Sequence, residues 1–226
     1  MKFQVSAKDK KTLCKQAPEF REVVRRIELD GFECNGDLFH ALVQSIISQQ
    51  LSIKAADTIY NRVEQLLGTI TAENLKSAAV EELRACGLSA RKIEYLRGIA
   101  DAVLSGRINF DALARLPDEE IMKELVKLKG VGEWTAEMLL IFALGRPDVL
   151  SFKDLGIRRG IMLLNKLEEL TEEDFEVYRK RYSPYGTLAS LYLWRIKDGG
   201  LSGRQINDSD TKIQEIRPPK QYGAGR

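Results

Sequence analysis

The spacing of hydrophobic residues along this chain predicts helices almost throughout its length. Apolar side chains recur every three or four residues, the period of one face of an α-helix, and polar side chains occupy the positions between them. We predict about ten helices and no convincing strand, with residues 1 to about 15 as an irregular or extended lead-in. The predicted helical spans are 18–29, 38–50, 53–67, 71–86, 90–104, 117–128, 134–144, 155–167, 171–181 and 188–196, and residues 110–116 are predicted to form a short turn.

Polar residues mark the starts of several predicted helices. Asp37 and Ser89 are suited to accept hydrogen bonds from backbone N–H groups as N-caps. Thr171 and Asp174 have the spacing of a capping box, with aspartate in the usual place of glutamate. These residues fix the predicted helix starts more closely than the apolar pattern does.

The composition bounds the class of protein. With 226 residues, 44% of them hydrophobic, the chain is long enough to bury a substantial core as one large domain or two fused helical lobes. Its formal net charge of only +2 excludes a highly basic protein that coats nucleic acid through its overall charge. Any DNA-binding surface must therefore be a local patch of positive charge. Basic residues cluster at 127–129, 153–159, 179–181 and 195–197, and each cluster is either a solvated helix face or a DNA contact.

The sequence predicts no targeting segment, no disulfide framework and no zinc site. Residues 1–11 lack the apolar core of a signal peptide, and no apolar run is long enough to span a bilayer, which predicts a soluble intracellular protein. Cys14, Cys34 and Cys86 are odd in number and widely spaced, which argues against a disulfide framework. The lone histidine, His40, is predicted to lie at the surface without a catalytic role. One histidine and no Cys-x-x-Cys pair leave no residue set that suits zinc.

The segment with the most specific chemistry is Leu128–Ala136, between two predicted helices. Gly130 and Gly132 flank one small apolar residue, and two glycines allow backbone angles that a Cβ would forbid. The turn leaves several backbone N–H groups unpaired at the positive end of the second helix. Such a concavity of amides binds phosphate, so we predict a helix-hairpin-helix that contacts a phosphate group.

Two further motifs follow the hairpin turn at characteristic distances along the chain. The turn at 130–132 is followed by Trp-Thr-Ala at 134–136 and, one helix later, by the run from Val149 to Asp154. Together they resemble the signature of the HhH-GPD superfamily of DNA glycosylases, in particular the 3-methyladenine DNA glycosylase II type. The resemblance covers roughly residues 37–198 and implies an all-α, two-lobed helical fold with the active-site cleft between the lobes.

The resemblance also implies a domain organisation. One lobe is expected to combine residues 1–36 with 118–198 and to hold the second half of the hairpin, the catalytic aspartate and the C-terminal helices. The other is a central helical lobe of residues 37–117. Residues 199–226, rich in glycine, proline and charge, are expected to form a mobile tail.

The resemblance implies that Asp154 is catalytic. Cleavage of an N-glycosidic bond passes through a sugar cation, so a carboxylate near the anomeric carbon stabilises the charge and activates the attacking water. An aspartate at the start of a helix is also a favoured N-cap, and both roles are compatible. The implied function is that of a monofunctional DNA glycosylase in base excision repair, which flips out 3-methyladenine or 7-methylguanine and hydrolyses its glycosidic bond.

The base pocket is expected at Trp134, Tyr185 and Met138. Family members that also cut the DNA backbone carry a lysine at the position of Trp134, so no AP lyase activity is expected. A cationic alkylated base suits the rings of Trp134 and Tyr185, and the Met138 thioether also contacts rings. Core packing is the alternative role for both aromatic residues.

Phosphate contacts are expected from the turn of Gly130, Val131 and Gly132, through backbone N–H groups, and from the Thr135 hydroxyl. Relatives also bind a monovalent metal ion through hairpin carbonyls, which needs no side chain. No other cofactor is expected, because the side chains offer no metal site and nothing in the sequence forms the four-cysteine iron–sulfur cluster of endonuclease III.

The polar junction of Gln50, Leu51 and Ser52 is expected to contact DNA as well. It resembles the loop that enters the minor groove and fills the gap left by an extruded nucleotide, with Gln50 or Leu51 as the plug. A helix–helix turn with solvated glutamines is the alternative.

The expected partner is damaged double-stranded DNA, bound by a monomer without membrane association. The protein is expected in the cytoplasm of a bacterium or archaeon, or in the nucleus of a eukaryote. Two alternative functions stay open: a glycosylase for deaminated or oxidised bases, and a non-catalytic helix-hairpin-helix module that binds DNA without turnover.

Overall fold

The structure, a computed structural model, describes residues 2–199. Within this range it has thirteen α-helices, a short 3-10 helix (Pro18–Phe20) and one antiparallel pair of two-residue strands, β1 (Lys2–Phe3) and β2 (Phe32–Glu33). The predicted all-α class is confirmed. The helices are α1 (Ala7–Gln16), α2 (Arg21–Arg26), α3 (Leu38–Ser48), α4 (Ile53–Leu67), α5 (Ala72–Ser77), α6 (Val80–Ala85), α7 (Ala90–Leu104), α8 (Phe110–Leu113), α9 (Asp118–Leu125), α10 (Glu133–Phe142), α11 (Leu155–Asn165), α12 (Glu172–Tyr182) and α13 (Gly186–Lys197).

Capping residues predicted the helix starts well. The predicted spans of α4 and α7 agree with the structure at both ends. The side chains of Asp37 and Ser89 accept hydrogen bonds from backbone N–H groups at 2.8 and 3.3 Å, as expected for N-caps. Thr171 and Asp174 form the predicted capping box at the start of α12.

Several predictions are wrong where the helical signal is short or weak. The lead-in contains α1, which starts at a capping box between Ser6 and Asp9 and buries only Leu13, so its apolar period is faint. The two strands were not predicted, because a strand of two residues is too short to show the alternation of apolar and polar residues that indicates a strand. The span 71–86 is two helices, because Ala78 leaves the helical conformation with ψ at 138°. Residues 110–113 form the one-turn helix α8 in place of a turn.

The described residues pack into two units. One, here called the N/C unit, combines residues up to 34 with residues from 140 onward, and the other, the central unit, runs from 35 to 139. The predicted division differs at its second boundary, which lies within α10 and not before α9. The predicted tail lies outside the described residues, apart from Gly199.

The hairpin belongs to the central unit because its turn bonds to other helices of that unit. The Gly130 carbonyl accepts a hydrogen bond from Gln49 Nε2 at 2.9 Å, and Lys129 forms an ion pair with Glu94 of α7. Apolar residues of α3 and α7 provide much of this unit's core, including Leu42, Ile46, Ile47, Leu96 and Ile99.

The N/C unit has its own core, built on a close crossing of α11 and α13. A Cβ on Gly160 would lie 2.5 Å from the carbonyl oxygen of Leu193, so only glycine fits at this crossing. Tyr182 and Tyr192 are fully buried, and the ring of each contacts Phe20. The candidate catalytic residue, Asp154, lies at the start of α11, one of these two helices.

Candidate functional site

Asp154 lies directly before α11 in the N/C unit, and only 4% of its surface is exposed. Its Oδ1 accepts one hydrogen bond from the backbone N–H of Ile157 (2.8 Å) and another from the indole Nε1–H of Trp194 (3.0 Å). The first bond confirms the N-cap role that the sequence predicted. The two donors come from α11 and α13, so both helices fix this oxygen, at the end of α11 where the helix dipole is positive.

Trp194 is itself held by a series of rings, here called the aromatic column: Phe3, Phe32, Phe142 and Trp194. The indole stacks on Phe142 with ring centroids 5.8 Å apart and an interplanar angle of 21°. Phe142 contacts Phe32 at 5.3 Å, and Phe32 stacks on Phe3 at 5.0 Å. The column therefore joins the β1–β2 pair to the residue that donates to Asp154. No motif in the sequence pointed to this role of Trp194, which follows from the need of a buried indole N–H for an acceptor.

Two glycines on one face of α11 make room for the Trp194–Asp154 hydrogen bond. A Cβ on Gly156 would lie 2.9 Å from Trp194 Cδ1 and 3.0 Å from Asp154 Oδ1. Gly160 follows one turn later and lies against α13. The spacing of the two glycines thus allows α13 to approach closely enough for the indole to reach the carboxylate.

The loop that leads to Asp154 is tied to α13 by two buried hydroxyl groups. Thr187 and Ser190 are both 0% exposed. The Thr187 hydroxyl donates to the Arg146 carbonyl (2.6 Å) and accepts from the Val149 N–H (3.2 Å), while the Ser190 hydroxyl donates to the Val149 carbonyl (2.9 Å). Because an unpaired buried polar group is strongly unfavourable, these bonds fix the path of the loop. No motif in the sequence singled them out.

Tyr185 lies half-buried at the start of α13, in a turn organised by Asp148. The Asp148 carboxylate accepts hydrogen bonds from the Ser183 hydroxyl (2.5 Å) and the Gly186 backbone N–H (3.0 Å). A Cβ on Gly186 would lie 2.8 Å from Asp148 Oδ1, so glycine keeps this turn closed. No pattern in the sequence pointed to Asp148, because its role depends on contacts with residues distant in sequence.

In the central unit, the predicted hairpin turn follows α9. Gly130 has a φ of 89°, and a Cβ there would lie 2.2 Å from a Tyr95 ring carbon. Gly132 lies outside the left-handed region, and a Cβ there would meet nothing within 4 Å. The prediction that both glycines serve the backbone angles is therefore correct for Gly130 and wrong for Gly132. Gly132 is exposed, so the missing side chain leaves its backbone open to a ligand.

The other predicted residues of the hairpin region are more buried than the turn. Val131 and Thr135 are each 6% exposed, Met138 is 4% exposed, and Trp134 is half-buried. A phosphate contact by the Thr135 hydroxyl and base contacts by Trp134 and Met138 stay predictions.

The predicted plug lies in the turn between α3 and α4, since α3 ends at Ser48 and not at Gln50. Gln50 is exposed and has a φ of 59°, a conformation that residues with a side chain rarely adopt. Leu51 is half-buried, and its N–H donates to the Ser48 carbonyl (3.2 Å). Ser52 caps α4 by accepting from the Ala55 N–H (3.3 Å). A structural role is thus present for Ser52, and both Gln50 and Ser52 are exposed.

Three of the basic clusters form ion pairs, and in the cluster at 195–197 Lys197 pairs with Asp198 at 2.7 Å. Lys129 pairs with Glu94, whose hydrogen bond raises the pKa of that lysine. Arg179 pairs with Glu176 at 2.9 Å. In the cluster beside Asp154, Arg158 lies over the Phe152 ring at 4.7 Å. The pairs at 129 and 179 fit a solvated helix face.

His40 corrects a sequence prediction, because it is half-buried and its Nε2 is hydrogen-bonded to the Tyr60 hydroxyl. None of Cys14, Cys34 and Cys86 forms a disulfide bond. In residues 2–199, no group of three or more His, Cys, Asp or Glu side chains is placed to hold a metal ion. No helix in that range is both long and apolar enough to cross a membrane.

Known proteins match this chain in sequence and in fold. A profile described as HhH-GPD superfamily base excision DNA repair protein matches residues 43–184. The chain is 39% identical over 162 residues to DNA-3-methyladenine glycosylase 1 of Schizosaccharomyces pombe, a match that covers 70% of this chain and 71% of that protein.

Two solved structures are similar. The first is a DNA-3-methyladenine glycosidase from Bacillus halodurans, with a TM-score of 0.80, 37% identity and coverage of 90% of this chain and 95% of that chain. The second is a Schizosaccharomyces pombe 3-methyladenine DNA glycosylase in complex with abasic DNA, with a TM-score of 0.71, 34% identity and coverage of 85% and 97%.

Proposed function

Because the chain belongs to the HhH-GPD superfamily of base excision DNA repair proteins, we propose that it is a monofunctional DNA glycosylase that removes alkylated purines. The names of its relatives support DNA-3-methyladenine glycosylase activity, and the solved complex with abasic DNA supports DNA as the substrate. The observation that carries the proposal is the Asp154 carboxylate, held by two donors within the matched region.

The proposed reaction breaks the bond between deoxyribose C1′ and the purine nitrogen, and the bonding electron pair leaves with the base. Methylation at N3 or N7 makes the base cationic, and the departing electron pair neutralises it. The sugar becomes an oxocarbenium ion, which the Asp154 carboxylate stabilises. Water then attacks C1′ and gives a proton to Asp154, which leaves a free base and an abasic site.

Two hydrogen bonds prepare Asp154 for this role. A carboxylate that is fixed before the substrate binds needs no reorganisation when positive charge develops on the sugar. The Ile157 N–H and the Trp194 indole supply that fixation. With 4% of the residue exposed, little water screens its charge, which strengthens its interaction with a cation.

Base recognition is proposed for Trp134, Tyr185 and Met138. Electron-rich rings and a thioether attract a cationic purine more than a neutral one. A lyase reaction would need an amine at position 134 to attack C1′, and an indole supplies none. We therefore expect the product to be an unbroken strand with an abasic site.

The turn of Gly130, Val131 and Gly132 is proposed to bind a DNA phosphate, since it offers backbone N–H groups ahead of α10. The resemblance also implies a monovalent ion on hairpin carbonyls. The Leu128 and Gly130 carbonyls accept hydrogen bonds at 3.1 and 2.9 Å, from Val131 and Gln49, and each retains a second lone pair that fits an ion. No step of the reaction depends on that ion.

Base release from duplex DNA tests the proposal. Wild type and Asp154→Asn are incubated with duplexes that contain N3-methyladenine or N7-methylguanine, and free base is measured. We expect release by wild type and a rate lower by roughly a hundredfold to ten-thousandfold for Asp154→Asn. Borohydride trapping is expected to give no covalent adduct. A wild type that releases no base from either duplex would contradict the proposal.

A non-catalytic DNA-binding module is the second candidate. It is favoured by the 4% exposure of Asp154 and by its role as the N-cap of α11. This candidate predicts duplex binding without base release by either protein. A panel of duplexes with deaminated and oxidised bases separates it from a glycosylase of a different lesion range.

A further inference from the structure

The first turns of α7 contact both turns that the proposed function assigns to DNA. Residues 49–52 are here called the plug turn, and residues 129–132 the hairpin turn. Lys92 bonds to the plug turn, whereas the Tyr95 ring faces Gly130 of the hairpin turn. One helix of the central unit therefore supports both.

Lys92 is bonded to the carbonyls at the end of α3. Its Nζ donates to the carbonyl oxygens of Ile47 and Gln49, both at 2.7 Å. Carbonyls at a helix C-terminus lack partners within the helix and carry partial negative charge, so a cation suits them. Lys92 is half-buried, and burial lowers its pKa. A partly desolvated ammonium is unfavourable without such partners, so this lysine is not an ordinary surface cation.

Gln49 connects the two turns. Its carbonyl accepts from Lys92, and its side-chain amide donates to the Gly130 carbonyl at 2.9 Å. One residue thus bonds to α7 through its backbone and to the hairpin turn through its side chain. The next residue, Gln50, has a φ of 59°, and such a conformation persists only where the surrounding structure holds it.

We propose that Lys92 and Gln49 are positioning residues, which mount the plug turn and the hairpin turn on α7 as one rigid DNA-contacting surface. The proposal rests on the proposed function for the identity of the ligand. Phosphate binding by the hairpin turn then sets where the plug turn meets the duplex. Loss of Lys92 loosens the plug turn, so lesion excision slows while affinity for undamaged duplex changes little.

Hydrogen–deuterium exchange of the free protein tests, without any DNA, whether Lys92 and Gln49 hold the plug turn and the hairpin turn against α7. This attachment of the two turns to α7 is here called the mount. It is measured for wild type, Lys92→Met, Lys92→Arg and Lys76→Met, a matched control that removes an exposed ion pair with Asp101 (2.7 Å) in the same unit. We expect exchange at 49–52 to rise about tenfold in Lys92→Met, to return toward wild type in Lys92→Arg and to stay unchanged in Lys76→Met. Unchanged exchange at 49–52 in Lys92→Met, or an equal rise throughout 35–139, overturns the proposal.

Single-turnover excision and duplex affinity test the functional consequence. Lys92→Met is expected to slow excision about tenfold at saturating enzyme, with affinity for undamaged duplex within about twofold of wild type and with rescue by Lys92→Arg. Equal losses of rate and affinity overturn the proposal. If wild type excises nothing but the exchange result holds, the glycosylase proposal fails and the mount is supported.

Gln49→Met tests the same link should Lys92→Met fail to fold. This variant keeps the backbone carbonyl that Lys92 contacts and removes only the amide that reaches Gly130. Faster exchange at both 49–52 and 129–132 supports the mount, and unchanged exchange at 129–132 overturns it.

Discussion

The indole N–H of Trp194 donates to Asp154 Oδ1, the same oxygen that caps α11. This bond connects the proposed catalytic carboxylate to α13, forty residues later in the chain. The geometry of the carboxylate therefore depends on how closely α11 and α13 pack as well as on its own loop.

Trp194→Phe should slow base release while the fold persists. Phenylalanine keeps a ring against Phe142 but removes the donor to Asp154, and a hydrogen bond to a charged group contributes about 1.5–3 kcal/mol. We expect a single-turnover rate lower by roughly tenfold to a hundredfold, with affinity for undamaged duplex unchanged. Tyr192→Phe is the matched control on the same helix, because the buried Tyr192 hydroxyl has no hydrogen-bond partner among the described residues. A rate for Trp194→Phe equal to that of wild type would show that the bond does not matter for catalysis.

Gly156→Ala should reduce both stability and activity. The added Cβ would press on Trp194 Cδ1 at 2.9 Å and on Asp154 Oδ1 at 3.0 Å, so the helices must shift. Such overpacking destabilises by about 1–3 kcal/mol. Gly98→Ala is the matched control, because a Cβ there meets nothing within 4 Å and alanine stabilises a helix interior by about 1 kcal/mol. Urea unfolding should give a lower free energy of unfolding for Gly156→Ala and a higher one for Gly98→Ala, and the excision rate should fall only in Gly156→Ala. Parallel changes in the two variants would count against this account.

The two hairpin glycines should respond differently to alanine. In Gly130→Ala, a residue with a side chain must adopt a φ of 89°, and its Cβ would lie 2.2 Å from a Tyr95 ring carbon. We therefore expect the free energy of unfolding to fall by about 2 kcal/mol or more. Gly132→Ala should keep wild-type stability to within about 0.5 kcal/mol. Gly132→Arg should weaken binding to every duplex, lesion or not, because its side chain blocks phosphate access. Thermal unfolding and duplex affinity separate these effects, and equal destabilisation by both alanines would refute the distinction.

Tyr60 should make the protein less stable at high pH. Burial, with smaller contributions from the Glu64 and Asp37 carboxylates, raises the pKa of Tyr60 from 10.0 to about 12. Between pH 10 and 12 the unfolded chain loses this proton while the folded chain keeps it, so the free energy of unfolding falls by roughly 1–2 kcal/mol as pH rises through that window. Tyr60→Phe should lose less stability between those pH values in denaturant titrations. Parallel pH curves for the two proteins would contradict the prediction.

Local signals predicted local structure. Asp37, Ser89 and Thr171 cap helices where the sequence placed them, because an N-cap depends on residues three positions apart. The same chemistry identified Asp154 as a cap. Short or weakly amphipathic segments such as α1 and the β1–β2 pair gave no periodic signal, so they were missed.

The contacts that support the site were not predictable from spacing. The Trp194–Asp154 bond, the Lys92 contacts with α3 and the Asp148 turn join residues far apart in sequence. Each involves a residue type that has many ordinary roles, and only the packing of helices selects one of them. The resemblance indicated Asp154 itself but carried no information on what holds it.

The aromatic column has a practical consequence. The matched family region begins at residue 43, so Phe3 and Phe32 lie ahead of it and yet end against the ring that backs Trp194. Side-chain volume at Phe3 is therefore expected to change the packing behind Trp194, so substitutions confined to the amino-terminal strand would alter the geometry of the proposed catalytic carboxylate without changing any residue proposed to contact DNA.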